Sequence, residues 1–362
     1  MANQENELLG RLDRFCDAVP RAAARPEELG DYVLFVRNGE AGWPFYARPR
    51  VGVTAPPAAA DITTVRARQR ELGLPESFEW IHEINPDLLA VARSAGLGVR
   101  QAPLMVLDPT ALPPVGRFAD RPVRLLDPDS PDFAADLTTW FTIAQAAFAP
   151  SDGTGTGLPA VGADTPEIVT VTFPTVDSGS PGGGAGGAAG PPAPAPGGLA
   201  TTAPAAPPDS IEPLATTGPT ASPVAAATDD PALPDTLVDR ERSAIAAGSH
   251  TIALAGLPSA GLPSAGLPSA GLPSAGQLAA VGSLNRVDDV AEIVGVGTVA
   301  PARRQGLASA ITAALARHAL AAGVDLIFLA AGDDDVAMLY HRLGFRRVGT
   351  SCIAEPTAHL VG

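Results

Sequence analysis

The stretch from Ala291 to Ala308, AEIVGVGTVAPARRQGLA, decides how the rest of the chain is interpreted. Its apolar first half, AEIVGVGTV, predicts a β-strand. A short turn with two arginines follows, and Gly306 then opens a segment with helical apolar spacing. This order predicts a backbone that binds a phosphorylated ligand, because the first amides of a helix lack internal partners and attract anions.

Four residues of the turn favour anion binding. Gly306 lets the backbone approach an anion closely, and Ala308 is small for the same reason. Arg303 and Arg304 add positive charge beside the start of the helix. The position between a strand and a helix gives this short pattern its weight.

A second glycine pattern lies in the same stretch, since residues 295–300, GVGTVA, fit the dinucleotide-binding form G-x-G-x-x-A. In that fold the glycines form the turn and the helix begins at once, whereas here Pro301 and two arginines intervene. The acidic residue expected about 20 positions later is also missing, because residues 316–323 contain no acid. The sequence therefore argues against a nicotinamide site.

Downstream of the turn, the patterns predict a helix at 302–323, a buried strand at 324–331, a short helix opened by three aspartates and a last strand at 345–355. His318 has no partner at metal-ligand spacing, so it is interpreted as a packing residue and no metal site is predicted. The predicted inner stripe of the first helix consists of Leu307, Ile311, Leu315, His318 and Ala322.

With these elements the sequence resembles the GCN5-related N-acetyltransferase (GNAT) family. The family's pyrophosphate loop reads Arg/Gln-x-x-Gly-x-Gly/Ala, and residues 303–308, RRQGLA, match it. A Tyr-x-x-x-Gly-Phe signature follows on the next helix in the family, and residues 340–345, YHRLGF, supply it. The resemblance covers about residues 116–355, apart from two low-complexity segments.

The resemblance implies an α/β (α+β) fold with a mixed, mostly antiparallel central sheet flanked by helices. It also implies acetyl-CoA as co-substrate, in a wedge between the strand that ends at Val299 and the strand at 324–331. The acetyl and pantetheine portion would contact Val296, Gly297 and Thr298. The pyrophosphate would bind to Arg303, Arg304, Gln305, Gly306, Leu307, Ala308 and Ser309.

The same resemblance implies that an amine attacks the thioester directly in a ternary complex. Tyr340 lies where the family often has the general acid for the leaving thiolate, and this role is favoured over simple packing on its helix face. Glu292 is the candidate base, with a side-chain parity that matches Val294, Val296 and Thr298. Asp288 and Asp289 are rival bases, and all three acids could instead be a solvated hairpin end.

Residues 1–115 predict a smaller α/β domain, and residues 116–362 the acetyltransferase domain. The first domain lacks a phosphate loop, so it is either a degenerate GNAT-like half, as in tandem members of the family, or an unrelated cap. Trp80, His82 and Glu83 could line a substrate pocket, but packing is the favoured interpretation.

Two low-complexity segments interrupt the second domain. Residues 151–232 are rich in Pro, Gly and Ala, with too few large apolar side chains to offset the entropy of ordering. Residues 256–276 contain four tandem copies of LPSAG, a period that suits neither helix nor strand. The flanking strands HTIALA and QLAAVGSL predict a hairpin with the repeat as an enlarged turn.

Composition limits the partners. The net charge is −15, every cation is an arginine, and no basic cluster exists, which argues against nucleic acid and against an anionic membrane surface. The polar N-terminus and two distant cysteines predict a cytoplasmic protein. The expected acceptor is a small-molecule or peptide amine, and assembly into a homo-oligomer stays open. The alternative function is a non-catalytic acyl-CoA-binding or interaction module with the same fold.

Overall fold

The computed structural model describes residues 2–38, 46–53, 56–148, 233–257 and 278–357. The predictions for the insert at 151–232 and for the LPSAG repeats therefore lie outside the described residues, apart from Gly256 and Leu257. The helices are α1 (Ala2–Arg21), α2 (Ala59–Glu71), α3 (Leu88–Ser94), α4 (Phe133–Phe148), α5 (Asp235–Ala246), α6 (Leu307–Ala321) and α7 (Asp334–His341). The strands are β1 (Ala24–Leu29), β2 (Tyr32–Arg37), β3 (Ala47–Pro49), β4 (Phe78–Ile81), β5 (Leu97–Leu107), β6 (Val123–Leu125), β7 (His250–Gly256), β8 (Leu278–Val287), β9 (Val290–Thr298), β10 (Leu326–Ala330) and β11 (Phe345–Pro356).

All of these strands form one sheet, in the order β1-β2-β3-β4-β11-β5-β10-β9-β8-β7-β6. Within the described ranges the parallel neighbours are β3 with β4 and β9 with β10, and the other pairs are antiparallel. Each parallel pair is joined by a helix, α2 or α6, as a parallel connection requires. The predicted fold class, a mostly antiparallel mixed sheet flanked by helices, is confirmed.

The centre of the sheet exchanges strands between the two halves of the chain. Strand β5 comes before residue 115, yet it pairs with both β10 and β11 from the C-terminal half. Strand β11 in turn pairs with β4 of the N-terminal half. The strand order therefore shows the same arrangement in each half. The parallel pair β3-β4 is followed by β11, the last strand of the C-terminal half, and the parallel pair β9-β10 is followed by β5, the last strand of the N-terminal half. The domain boundary at residue 115 stays a prediction, but the sheet runs continuously across it.

Helix α6 lies against the strands of the C-terminal half. Its Leu307, Ile311 and Leu315 are buried as predicted, but His318 and the adjoining Ala322 are exposed, so the second half of the predicted stripe is wrong. The buried face of α6 instead continues through Ala316 and Ala319, and it also includes Ala310, Thr312 and Ala313. The helix approaches β8 so closely that a Cβ on Gly282 would lie 2.5 Å from Ile311 Cγ2.

Helix α1 covers the opposite side of the sheet and links the two halves. Its Phe15 ring lies 5.0 Å from the ring of Phe328 on β10, edge to face, and belongs to a buried cluster with Ile81 of β4 and Val290 of β9. Residues of β4 and β9 that share the faces of Ile81 and Val290 therefore point toward the same helix.

The described part of the chain bears out two smaller predictions. Strands β7 and β8 pair antiparallel from His250 with Asn285 to Gly256 with Leu278, so the hairpin around the repeats is confirmed. Trp80 is only 2% exposed and packs among apolar residues, so its packing interpretation is confirmed as well. None of the helices in the described ranges is long and apolar enough to span a membrane.

Candidate functional site

A wedge opens between strands β9 and β10. The two strands pair only from Val290 with Leu326 to Glu292 with Phe328. Strand β9 nevertheless continues to Thr298, and its other edge stays paired with β8 along that length. The β10-facing edge of residues 293–298 is therefore released from the ladder. Its unpaired backbone groups can bind an extended ligand as a further strand would.

A bulge at Gly295 accompanies this separation. Gly295 has a φ of +61°, which strongly favours glycine, and the register with β8 shifts between Ser283 and Val281. The bulge also changes which way the strand's side chains point. Val296 Cγ2 lies 3.3 Å from the position of a Cβ on Gly282, beside Ile311, so Val296 faces α6.

Glu292 faces the other side of the sheet. It pairs with Phe328, whose ring contacts Phe15 of α1, so the carboxyl group points toward α1. The predicted common parity of Glu292 and Val296 is therefore wrong. Strict alternation fails here because the bulge adds a residue between them.

The C-terminal end of α4 closes one side of the wedge. A Cβ on Gly297 would lie 2.9 Å from both Ala147 Cβ and Phe148 Cζ, which leaves no room for a larger residue. Gly297 thus serves close helix–strand packing. Helix α4 ends at Phe148, shortly before the low-complexity segment that begins at residue 151 in the sequence.

The N-terminus of α6 lies directly beyond the end of β9. Gly306 is its N-cap, with a φ of +78° and no side-chain cap, and Arg304 has a φ of +63°. Ala310 N donates to Gly306 O, the first bond of the helix. Among the described residues, no acceptor is recorded for the amides of residues 304–309. Several free donors at a helix N-terminus form an anion site.

The two arginines of the predicted loop differ in their surroundings. Arg303 donates from Nε to Thr298 O and from one Nη to Ala147 O, each at 3.2 Å. It therefore ties the loop to the ends of β9 and α4. Arg304 is exposed, and the structure records no contact of its side chain with the described residues. The cofactor-binding roles of both side chains stay predictions.

A third arginine, not anticipated from the sequence, lies against the loop. Arg121 Nε donates to Gln305 O at 2.5 Å, across 184 residues of sequence. A Cβ on Gly306 would lie 3.0 Å from the same Nε. No sequence pattern could have revealed this contact, because Arg121 lies in a loop segment before β6 without a motif of its own.

Tyr340 is buried on α7. Asp333 caps this helix by accepting a 2.7 Å hydrogen bond from Val336 N, which sets the helix register. The Tyr340 ring lies 5.9 Å from the Phe345 ring, and the residue is 8% exposed. Burial raises the pKa of its phenol to about 12. The group holds its proton at neutral pH, as a general acid must before it acts.

Glu292 is half-buried where β9 and β10 begin to part. Burial raises its pKa to about 8, and the carboxylate of Glu79 adds to the rise. Glu79 belongs to β4, on the face of Ile81, so a carboxyl group of the N-terminal half shares this space under α1. Burial also raises the pKa of Glu79 to about 7, against the lowering effect of Arg48. Sequence reasoning missed Glu79 because nothing local links it to β9.

The rival bases lie elsewhere. Asp288 and Asp289 form the exposed turn between β8 and β9, and the Asp289 carboxylate accepts a 2.8 Å hydrogen bond from Arg11. In the described part of the chain, no cluster of three or more His, Cys, Asp or Glu could hold a metal ion. Glu292 is thus the candidate base nearest the opening of the wedge.

Comparisons with known proteins agree with this geometry. The model of the Acetyltransferase (GNAT) family matches residues 262–345, which include β9, the loop, α6 and all of α7 with its Tyr340. No curated protein sequence matches the chain.

Among solved structures, a GCN5-related N-acetyltransferase from Kribbella flavida superposes with a TM-score of 0.55, at 17% identity and over 97% of both chains. A GCN5-related N-acetyltransferase from Sphaerobacter thermophilus has a TM-score of 0.46, at 12% identity over 91% of this chain and 81% of the other. A tandem GNAT protein from the clavulanic acid biosynthesis pathway has a TM-score of 0.43, at 12% identity over 90% and 78%. The first of these similarities shows a shared fold, and residues 262–345 of the C-terminal half are similar to the Acetyltransferase (GNAT) family.

Proposed function

We propose that the protein transfers an acetyl group from acetyl-CoA to a primary amine. The observation that carries the proposal is the wedge between β9 and β10 with the free N-terminus of α6 at its end. An open strand edge suits an extended amide-containing chain, and a helix N-terminus suits a pyrophosphate. Acetyl-CoA has both parts joined in one molecule.

The chain's own groups fit each part of this co-substrate. Apart from Thr298 O, which accepts from Arg303, the released backbone of Val296, Gly297 and Thr298 offers donors and acceptors to the acetyl and pantetheine portion. The free amides of residues 304–309 offer donors to the pyrophosphate. The left-handed backbone of Arg304 and Gly306 turns successive amides into a concave anion-binding surface.

The proposed chemistry is direct transfer. The amine nitrogen attacks the thioester carbonyl, a C–N bond forms, the C–S bond breaks, and the thiolate leaves. Tyr340 gives its phenolic proton to that thiolate, since a buried phenol is fully protonated at neutral pH. Glu292, directly or through water, takes the proton that the amine loses. The acceptor is a small-molecule or peptide amine.

A second candidate function is an acyl-CoA-binding module without catalysis. One observation favours it: with a pKa of about 8, Glu292 is largely protonated at pH 7 and is then no base. The two functions therefore make different predictions above pH 8, where only an enzyme gains a working base.

Calorimetric titration with acetyl-CoA tests the binding that both functions require, and its absence would rule out both. Release of the CoA thiol at pH 8.5 over a panel of amino acids, polyamines, aminoglycosides and peptides then separates them. An enzyme releases thiol with at least one amine, and Tyr340→Phe slows that release by about 10²-fold or more while acetyl-CoA still binds. If neither protein releases thiol with any amine, the binding module stands.

Tyr32→Phe is the matched control. Tyr32 is 1% exposed in the N-terminal half, and its buried hydroxyl has no hydrogen-bond partner among the described residues. Removing that hydroxyl perturbs a buried tyrosine to a similar extent, far from the wedge. Its thiol release should equal that of the wild type.

A further inference from the structure

Arg121 contacts the loop that precedes α6, at the peptide between Gln305 and Gly306. Its Nε donates to Gln305 O at 2.5 Å, and one Nη donates to Asp120 at 2.6 Å. The side chain is 29% exposed, and a Cβ on Gly306 would lie 3.5 Å from its Cζ as well as 3.0 Å from Nε. The guanidinium group therefore packs directly on the Gln305–Gly306 peptide.

The direction of that hydrogen bond determines the direction of an amide. In a trans peptide the C=O and N–H groups point to opposite sides of the chain. The backbone of the described chain has no cis peptide, so a Gln305 carbonyl held by Arg121 leaves the Gly306 N–H pointing away from Arg121. That N–H belongs to the run of free amides at the start of α6.

The loop needs such a support because its backbone is unusual. Arg304, a non-glycine residue, has a φ of +63°, and Gly306 has a φ of +78°. Left-handed residues other than glycine are held in place by their surroundings. Arg303 ties one end of the loop to β9 and α4, and Arg121 ties the other end from the segment before β6.

We propose that Arg121 is a positioning residue for phosphate binding: it fixes the Gln305–Gly306 peptide so that the loop amides converge on the pyrophosphate of acetyl-CoA. The inference rests on the proposed function. Arg121 lies outside the family's loop pattern, and it acts from behind the loop through a carbonyl oxygen. Its effect is therefore confined to the phosphate end of the ligand.

Two ligands separate this role from general damage to the fold. Acetyl-CoA has the pyrophosphate, and S-acetylpantetheine lacks it. We expect Arg121→Met to raise the Kd and KM for acetyl-CoA by about tenfold, the usual worth of a hydrogen bond, with kcat at saturation within twofold of the wild type. The kcat/KM for S-acetylpantetheine should be unchanged. Arg121→Lys keeps a hydrogen-bond donor. Its log KM for acetyl-CoA should therefore lie at least halfway back from the Arg121→Met value to the wild-type value.

Arg117→Met is the control, since Arg117 is exposed in the same segment and its guanidinium lies 5.9 Å from the centre of the Phe118 ring. Arg117→Met should leave the KM for acetyl-CoA and the kcat/KM for S-acetylpantetheine unchanged. The positioning role would be overturned if Arg121→Met lowered kcat/KM equally for acetyl-CoA and S-acetylpantetheine. It would also be overturned if the KM for acetyl-CoA stayed unchanged in this variant. If Arg121→Met fails to fold, Arg121→Lys decides: a folded lysine variant that loses affinity equally for both ligands also overturns it. A wild type that binds no acetyl-CoA refutes the proposed function itself.

Discussion

Replacing Glu292 by glutamine tests whether its carboxyl group is protonated in the folded chain. Burial and the nearby Glu79 raise the pKa of Glu292 to about 8, from an ordinary value of 4.5. Between those two values the folded chain keeps the proton, while the unfolded chain has lost it. Stability therefore falls as the pH rises from about 4.5 to about 8, and levels off above that range. Glutamine cannot ionise, so Glu292→Gln removes this dependence.

The size of the effect follows from the shift. Each pKa unit corresponds to about 1.4 kcal/mol. With a pKa of about 8 for Glu292, the free energy of unfolding of the wild type should fall by about 2 kcal/mol between pH 6 and pH 8, compared with that of Glu292→Gln. Glu292 is half-buried rather than fully enclosed, so we expect about 1–2 kcal/mol once solvent screening is included.

The assay is urea unfolding of both proteins at pH 6, 7 and 8. The free energy of unfolding of the wild type should fall toward that of the glutamine variant, or below it, as the pH rises. Glu5→Gln, an exposed change near the start of α1, should track the wild type at every pH. A difference between wild type and Glu292→Gln that stays constant from pH 6 to pH 8 would refute the buried, protonated carboxyl group.

Three further outcomes are expected. Gly306→Ala should lower the free energy of unfolding by about 1–2 kcal/mol, because the φ of +78° and the close Arg121 side chain leave no room for a Cβ. Gly116 has open space around it, so Gly116→Ala should lower the free energy of unfolding by less than half as much in the same denaturation experiment. Glu79→Gln should move the midpoint of the pH–activity profile to lower pH, because it removes the charge that raises the pKa of Glu292; an unchanged midpoint contradicts that coupling. Residues 116–362 expressed alone should remain unfolded by circular dichroism and recover the fold when residues 1–115 are added, because strand β5 is missing from their sheet.

The C-terminal half could be predicted from sequence because its signals are local. An apolar strand, a glycine-started helix and a second buried strand follow one another within about 40 residues, and each leaves its own periodicity. The same reasoning missed β1, ARPEEL, which has charged residues at half of its positions. Strand β1 lies at the edge of the sheet and pairs only with β2 among the described strands, so packing demands little of its side chains.

The side-chain parity of β9 failed for a different reason. A strict two-residue period assigns Glu292 and Val296 to one face, but the bulge at Gly295 turns Val296 to the other. Glycines in a strand signal such a bulge without showing which face each flanking residue takes. The candidate base and the strand edge proposed to bind pantetheine could therefore be named from sequence, but their relative orientation needed the structure.

The partners of the site were also beyond local reasoning. Arg121 contacts Gln305 across 184 residues, and the charge of Glu79 acts on Glu292 from the other half of the chain. Both interactions depend on how the sheet is assembled. Because the two halves exchange β5 and β11, β10 is braced by a strand of the N-terminal half on the side away from the wedge.

The N-terminal half thus needs no phosphate loop of its own to influence the proposed reaction. Its strand β5 supports one wall of the wedge, and its Glu79 raises the pKa of the candidate base. A base with a pKa near 8 is a stronger proton acceptor once ionised than an ordinary carboxylate, at the cost of being ionised less often at neutral pH. The second carboxyl group under α1 therefore adds to the effect of burial and moves the pH range in which the proposed base is ionised upward.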